Sequence, residues 1–318
     1  MQALVNLHFV MPEASNQLMA LDPDRDWKRF GRSEPAWALQ SAIFLARAGV
    51  EASLGSVPRE DAINFVPASM LIGRRFGSER YYTVSLAADK VLIPWAHAHI
   101  VQNAEQAGFN RYWLHHWPQP GLIPRQTERA CNVETVGFAG LPINSGLSES
   151  SLAPVCERLG LSFRLLSPDN WNDYSAVDVL VGLRDFSGGR YPRKPASKLF
   201  NAWLADTPFI GGMDSAYEQV GEPGGNYLQV TCFDQLARAL ESLASNAGLY
   251  QRLVTNGRVA CEVCRREAIV ESWMRVAEEL EPDFLHWRRT ALGARVARSL
   301  IRGARTRGQR LGYSGGRL

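Results

Sequence analysis

Short apolar runs alternate with stretches of helical period along most of the chain. Residues 4–10 form an apolar run that reads as a first strand. Residues 35–48 (PAWALQSAIFLARA) carry helical periodicity, with Pro35 at the first turn and Gly49 as the stop. Further strands are expected at 50–57, 61–71, 81–86, 97–101 and 111–115. The intervening loop 22–34 is long, charged and aromatic, and loops of that length in compact domains are often functional.

Three prolines and Gly121 between residues 118 and 124 exclude regular structure and mark a boundary. A second series follows. Strands are expected at 133–138, 162–166, 177–183, 208–211 and 226–230, and helices at 151–159, 196–205, 233–245, 247–265 and 267–280. The run 177–183 (VDVLVGL) is almost continuously apolar, as a strand buried on both faces requires. Strands alternating with helices imply βαβ units and parallel sheets. The expected fold class is therefore α/β, with two Rossmann-like domains at 1–130 and 131–285. Paired open sheets bind ligands at the carboxyl ends of their strands.

Composition changes this picture in one place. The 318 residues include 46% hydrophobic and 21% charged residues, enough apolar material for two cores, and the formal net charge is only +3. That balance implies no chain-wide nucleic-acid role. The charge is unevenly placed, however. From His286 to Leu318 there are nine arginines and no Asp, Glu or Lys, so residues 1–285 are net acidic. Within this tail Leu292, Val296, Leu300 and Ile301 recur at helical spacing, giving a basic amphipathic helix suited to an anionic membrane surface through residues 287–310. A solvated tail and a helix packed on the N-terminal domain are the competing readings.

No run reaches the roughly 20 apolar residues of a membrane span, and the N-terminus lacks the features of a secretory signal. The five cysteines are scattered and odd in number, which fits reduced thiols in a cytoplasmic protein. Cys261 and Cys264 form a lone CxxC, better read as helix packing than as a zinc or redox site.

The chemistry concentrates in residues 173–221. There the buried strand runs into a loop with Arg184, Arg190, Arg193, Lys194 and the pair Gly188-Gly189, and then into a helix opening at Ser197. Basic groups before a helix N-terminus suit a bound anion. Lys198 lies in the first turn of that helix, where a cation opposes the dipole, and a bound diphosphate would remove the conflict. The glycines Gly137 and Gly140 follow the second domain's first strand without the GxGxxG spacing of a nicotinamide site.

This segment resembles the donor-binding core of the GT-B glycosyltransferases. The resemblance rests on Ser197-Lys198-Leu199 at a helix start, on Leu204-Ala205-Asp206-Thr207-Pro208 before a short strand, and on Gly211-Gly212. Phe233-Asp234-Gln235-Leu236, Asn256-Gly257-Arg258 and a final helix with Trp273 continue it, over residues 132–280. In the N-terminal half only the strand–helix rhythm and His99-Ile100-Val101-Gln102-Asn103 match. The family's two glutamates, eight residues apart, fall here on Arg193 and Asn201, and its usual glycine falls on Asp206, which tolerates a left-handed backbone.

The resemblance implies two domains facing each other across a cleft and a hexosyltransferase-like reaction without a metal or other cofactor. A sugar would pass from a nucleotide-diphosphate donor to a glycan, lipid-linked or small-molecule acceptor, as in polysaccharide biosynthesis. Arg184 and Lys198 would neutralise the donor's phosphates. Gly140, Lys194, Ser197, Asn201, Asp214, Ser215 and Ala216 would contact the donor. An epimerase of the same fold and a non-catalytic nucleotide-sugar-binding protein are the alternatives. A cytoplasmic enzyme, held peripherally at the inner membrane face, is expected, with no nucleic-acid partner.

His97 and His99 share a strand face, and with His115 and His116 they read as structural histidines, as a metal pair lacking a third ligand, or as acceptor-side groups. Glu13, Asp22, Asp24, Asp26 and these histidines remain open as candidates for a catalytic base.

Overall fold

The computed structural model describes residues 5–73, 79–140 and 149–313, with side chains as far as residue 302. The chain divides into two compact units. One comprises Met1–Asp22, Arg29–His115 and Arg266–Leu318, and the other Pro23–Lys28 and His116–Arg265.

The first unit is built on six parallel strands: β1 (Leu7–Val10), β2 (Ala52–Gly55), β3 (Ile63–Pro67), β4 (Thr83–Leu86), β5 (Ala98–Val101) and β6 (Arg111–Trp113). Their order is β2-β1-β3-β4-β5-β6, with Leu7 opposite Ile63 and Val84 opposite Ala98. Every residue of β1, β3, β4 and β5 is buried, polar His8, Asn64, Thr83, Ser85 and His99 among them. Its helices are α1 (Asn16–Met19), α2 (Gln40–Arg47), entered through a π-helical turn at Pro35–Leu39, and α3 (Ala68–Leu71). Pro35 fits this entry because its missing N–H has no partner there in any case. The strand expected over 61–71 stops at Pro67, which has no N–H to extend the ladder, and Ala68–Leu71 turns into α3.

The second unit carries five parallel strands, β7 (Thr135–Ala139), β8 (Ser162–Leu166), β9 (Val179–Gly182), β10 (Phe209–Gly211) and β11 (Leu228–Gln229), in the order β11-β10-β9-β7-β8. Its helices are α4 (Glu149–Arg158), α5 (Ser197–Leu204), α6 (Ser215–Val220), α7 (Phe233–Ser245) and α8 (Ala247–Ala260). In both sheets the first strand lies between the second and the third. The direction of winding therefore reverses beside that strand, and both units are doubly wound and Rossmann-like. Gly137, read as following the first strand of this domain, lies within β7, and Gly140 follows it directly.

One helix was not expected in this unit and another needs correction. Past Gly211-Gly212 the chain enters α6, which Asp214 caps by accepting a hydrogen bond from the Ala216 N–H at 3.1 Å. The helix expected over 247–265 ends at Ala260 and tightens into a 3-10 turn at Cys261–Cys264, where both thiols are buried. Asp206 takes the left-handed conformation foreseen for it, with φ of 57°, and Arg258 holds its carboxylate in two hydrogen bonds of 2.6 and 2.9 Å.

A buried carboxylate organises the start of the second sheet. Asp178, immediately before β9, accepts from the backbone N–H groups of Glu134 and Thr135 at 2.9 and 2.8 Å. It also receives Arg125 Nε at 2.9 Å and Arg129 Nη2 at 2.6 Å. Burial alone would raise its pKa, but these hydrogen bonds hold it below the ordinary carboxylate value. The neighbouring strands β7 and β9 are thereby tied together at their entry edge.

The remaining helices, α9 (Arg266–Arg289) and α10 (Leu292–Tyr313), belong to the first unit. The sequence placed residues up to 285 in the second. Trp273 of α9 packs edge-on against Phe9 and Phe65 at 5.5 and 5.3 Å between ring centroids, and near Trp37 at 6.4 Å. The helix outlasts its expected end at 280 because Phe284 and Trp287 are buried too, Phe284 against Tyr82 at 5.4 Å. Tyr82 also donates a 2.7 Å hydrogen bond to Asp283.

Candidate functional site

The site forms where the strands of the second unit end. β9 closes with Gly182, which lies so tightly against the Phe209 ring that a Cβ there would collide with it. Leu183 and Arg184 follow. The chain then makes an Asx turn, in which Asp185 Oδ1 accepts from the Ser187 N–H at 2.9 Å and its hydroxyl at 2.7 Å. Gly188 and Tyr191 both take positive φ, 76° and 49°. This loop encloses a pocket of about 340 Å³ with Gly212 and Met213 after β10 and Val230 and Thr231 after β11. Arg184, Phe186, Tyr191 and Asp214 also line it. An open doubly wound sheet places its ligands at this edge.

Arg184 is fixed from two sides. Its Nε donates to Asp214 Oδ2 at 2.6 Å, and its guanidinium lies 5.3 Å from the centre of the Tyr191 ring. Asp214 thus uses one oxygen to cap α6 and the other to hold Arg184. Burial pushes the Asp214 carboxyl above its usual range although Arg184 opposes the shift.

Lys198, in the first turn of α5, reaches across to the end of β7. Its Nζ sits 4.8 Å from the centre of the Phe138 ring, and a Cβ on Gly140 would lie 3.4 Å from it. Burial lowers its pKa to about 7; Arg184 and Lys194 add to the drop, and Asp214 works against it. Arg184 and Lys194 thus crowd positive charge around Lys198, and Asp214 opposes their effect on it. They stand beside the junction of β7 and β9, where the winding of the sheet reverses. No side chain caps α5, and no acidic residue occupies its first turn.

The structure therefore brings together Arg184, Lys194, Lys198, Gly140 and Asp214. Ser215 and Ala216 begin α6 at the same edge, with the Ser215 N–H bonded to Arg190 O at 2.9 Å. Ser197 opens α5 beside Lys198. Asn201 sits differently. It is buried, and its Oδ1 accepts a 2.9 Å hydrogen bond from the Gln119 N–H, tying α5 to the proline-rich segment at the start of the second unit. Tyr191, Phe186 and Thr231 were not foreseen. The Asp-x-Ser-Gly pattern after the buried strand was a visible turn signal, but nothing local showed Tyr191 stacking on Arg184.

The other candidates lie in varied settings. His97 stacks on Tyr82 at 4.2 Å, accepts from the Thr83 N–H at Nδ1, and is held well below its usual pKa by burial. Burial lowers His115 to about 4, so it is neutral at ordinary pH. Asp22 faces Arg47 at 3.7 Å, and Asp24 accepts from the Gly121 N–H at 3.0 Å. Glu13 takes a positive φ of 59°. Among the described residues no group of three or more His, Cys, Asp or Glu side chains could hold a metal ion, and no helix is long and apolar enough to cross a membrane.

Two doubly wound units are the architecture of the GT-B glycosyltransferases, and solved structures of that fold match the chain. It is similar to AviGT4, a glycosyltransferase involved in avilamycin A biosynthesis, at TM-score 0.56 and 12% identity, over 87% of this chain and 98% of AviGT4. It is also similar to Anabaena HepE in complex with UDP and glucose, at TM-score 0.51 and 12% identity, over 87% and 100%. TarM matches at TM-score 0.51 and 13% identity over 76% of this chain, which spans only 58% of TarM's length. No protein-family model matches the sequence, and no curated protein does.

Proposed function

We propose that the protein is a glycosyltransferase that takes a sugar from a nucleoside-diphosphate donor bound by the second unit. The observation that carries this reading is the convergence of Arg184, Lys194 and Lys198 at the strand ends, with Asp214 bonded to Arg184 and acting on Lys198. Positive charge gathered there favours a polyanion, and the N-terminus of α5, which no side chain caps, adds to the attraction. The pocket beside Phe186, Tyr191 and Thr231 offers an aromatic and polar wall for the remainder of the nucleotide. HepE, of the same fold, is known with UDP and glucose.

In the transfer an acceptor hydroxyl oxygen forms a bond to the anomeric carbon. The bond from that carbon to the diphosphate oxygen breaks, and the diphosphate leaves with the electron pair. The hydroxyl proton passes to a base. Charge grows on the leaving phosphate, and a protonated Lys198 beside Arg184 stabilises it more as the bond opens. These cations take the part of a metal ion in the proposed reaction. A glycan or lipid-linked acceptor fits the proposal, as does a hexose as the transferred group.

The test is a thermal-shift titration with UDP, GDP and their hexose conjugates, followed by turnover assays over an acceptor panel. At least one nucleotide should raise the Tm, as mass action on the folded state requires. Lys198→Ala should abolish that shift and lower kcat by about 10²–10³. If no nucleotide raises the Tm, or if the variant responds like the parent, the donor site is misassigned.

A further inference from the structure

The last helix is built inside out for a protein meant to sit wholly in water. α10 runs about 33 Å by the usual helical rise, and the arginines of its first half are engaged by the rest of the unit. Arg295 donates to the carbonyls of Thr290 and Arg288 at 2.7 and 2.8 Å, and to Glu79 at 3.3 Å, and its guanidinium lies 4.2 Å from the centre of the Trp287 ring. Arg298 Nη1 is 2.6 Å from His286 Nε2, and Arg302 Nη2 is 3.1 Å from His97 Nε2. Aliphatic side chains stand outside, beside the exposed Arg298. Leu292 is 61% exposed, Val296 43%, Leu300 62% and Ile301 53%. Leu292, Val296 and Leu300 are spaced by four, so they form one stripe along the helix.

A contiguous aliphatic stripe on an anchored helix marks a contact surface rather than a solvated tail. Charge narrows the occupant. Residues 286–318 hold nine arginines and no acidic residue. Two copies of so basic a segment repel each other, which disfavours a self-contact. Nucleic acid would be met by arginines and polar groups, whereas here Leu292, Val296, Leu300 and Ile301 stand exposed along the helix. An anionic bilayer answers both features: its acyl boundary takes the stripe, and its headgroups attract the arginines. We propose that α10 docks the protein on anionic lipid, lying in the plane of the interface with Leu292, Val296, Leu300 and Ile301 inserted. This docking does not depend on the proposed reaction.

The full chain is co-sedimented with vesicles of phosphatidylcholine alone and of phosphatidylcholine and phosphatidylglycerol in equal amounts. Binding should require the anionic lipid and weaken with added salt. The double variant Val296→Asp, Leu300→Asp should lower partitioning by about tenfold or more, with the Tm unchanged because both side chains are exposed. Should the double variant melt lower than the parent, Leu300→Ser alone serves as the milder probe and should still weaken binding. Equal binding to both vesicle types, or undiminished binding by the variants, overturns the proposal. So does failure to bind vesicles, whether the stripe then proves to hold a dimer that the variants dissociate or the tail proves to hold RNA.

Discussion

Lys198 sits where burial and two other cations act against its charge, with only Asp214 in its favour. In the unfolded chain a lysine titrates near 10.4, whereas in the folded protein this one titrates at about 7. Across that window the unfolded state binds the extra proton, so Lys198 makes stability rise with pH between the two values and imposes its full penalty below the lower one. Lys198→Met should therefore melt higher than the parent at pH 6, with the difference shrinking towards pH 10. A diphosphate reverses the preference by favouring the charged form. Nucleotide affinity of the parent should accordingly fall as pH rises above 7, by up to about tenfold per unit, and calorimetry in buffers of different ionisation enthalpy should register proton uptake on binding. A pH-independent affinity across 6–9 would remove Lys198 from contact with the phosphates.

At the scale of elements, α9 makes the most consequential choice. Its amphipathic period was plain in the sequence, yet a period says that one face is buried and not which sheet buries it. Trp273 settles the matter by packing among Phe9, Phe65 and Trp37. Trp273→Ala should cost about 3–5 kcal/mol, read as a lowered denaturant midpoint, and the loss should fall on the unfolding of the first unit. The nucleotide-induced shift of the second unit should persist. The same distinction separates what was legible from what was not. β9 could be placed from VDVLVGL because burial on both faces leaves an unbroken apolar run, and Lys198 could be singled out because a cation in a first turn is locally unfavourable. The helix α6 was missed although Asp214 announced its cap, since six residues are too few for a helical period to show. Asn201 was matched to a donor contact by position, whereas its bond to the Gln119 backbone joins residues 82 apart and leaves no local trace. The conformation of Tyr191 was hidden for another reason: a bulky residue rarely takes a positive φ, so nothing in its identity announced one.

The molecule as a whole is threaded so that both chain ends build one unit while the middle builds the other. This threading makes the first unit depend on residues that follow the second unit along the chain. Without α9, the faces of Phe9, Phe65 and Tyr82 that now meet Trp273, Phe284 and Trp287 would stand open to water. Each such large side chain contributes about 1.5–3 kcal/mol through burial, so losing several together exceeds much of the 5–15 kcal/mol that stabilises a typical domain. A chain ending at Arg265 should consequently keep a folded second unit and lose the first. Its circular dichroism should retain signal in the far ultraviolet and lose intensity in the near ultraviolet, and it should bind a hydrophobic dye. Arg184, Lys194, Lys198 and Asp214 all lie between residues 116 and 265, so the truncated chain should still be stabilised by the nucleotide that stabilises the parent. A shortened chain with parental near-ultraviolet signal and parental Tm would show that the first sheet closes its own core, and α9 would then be an ornament rather than a wall of that unit.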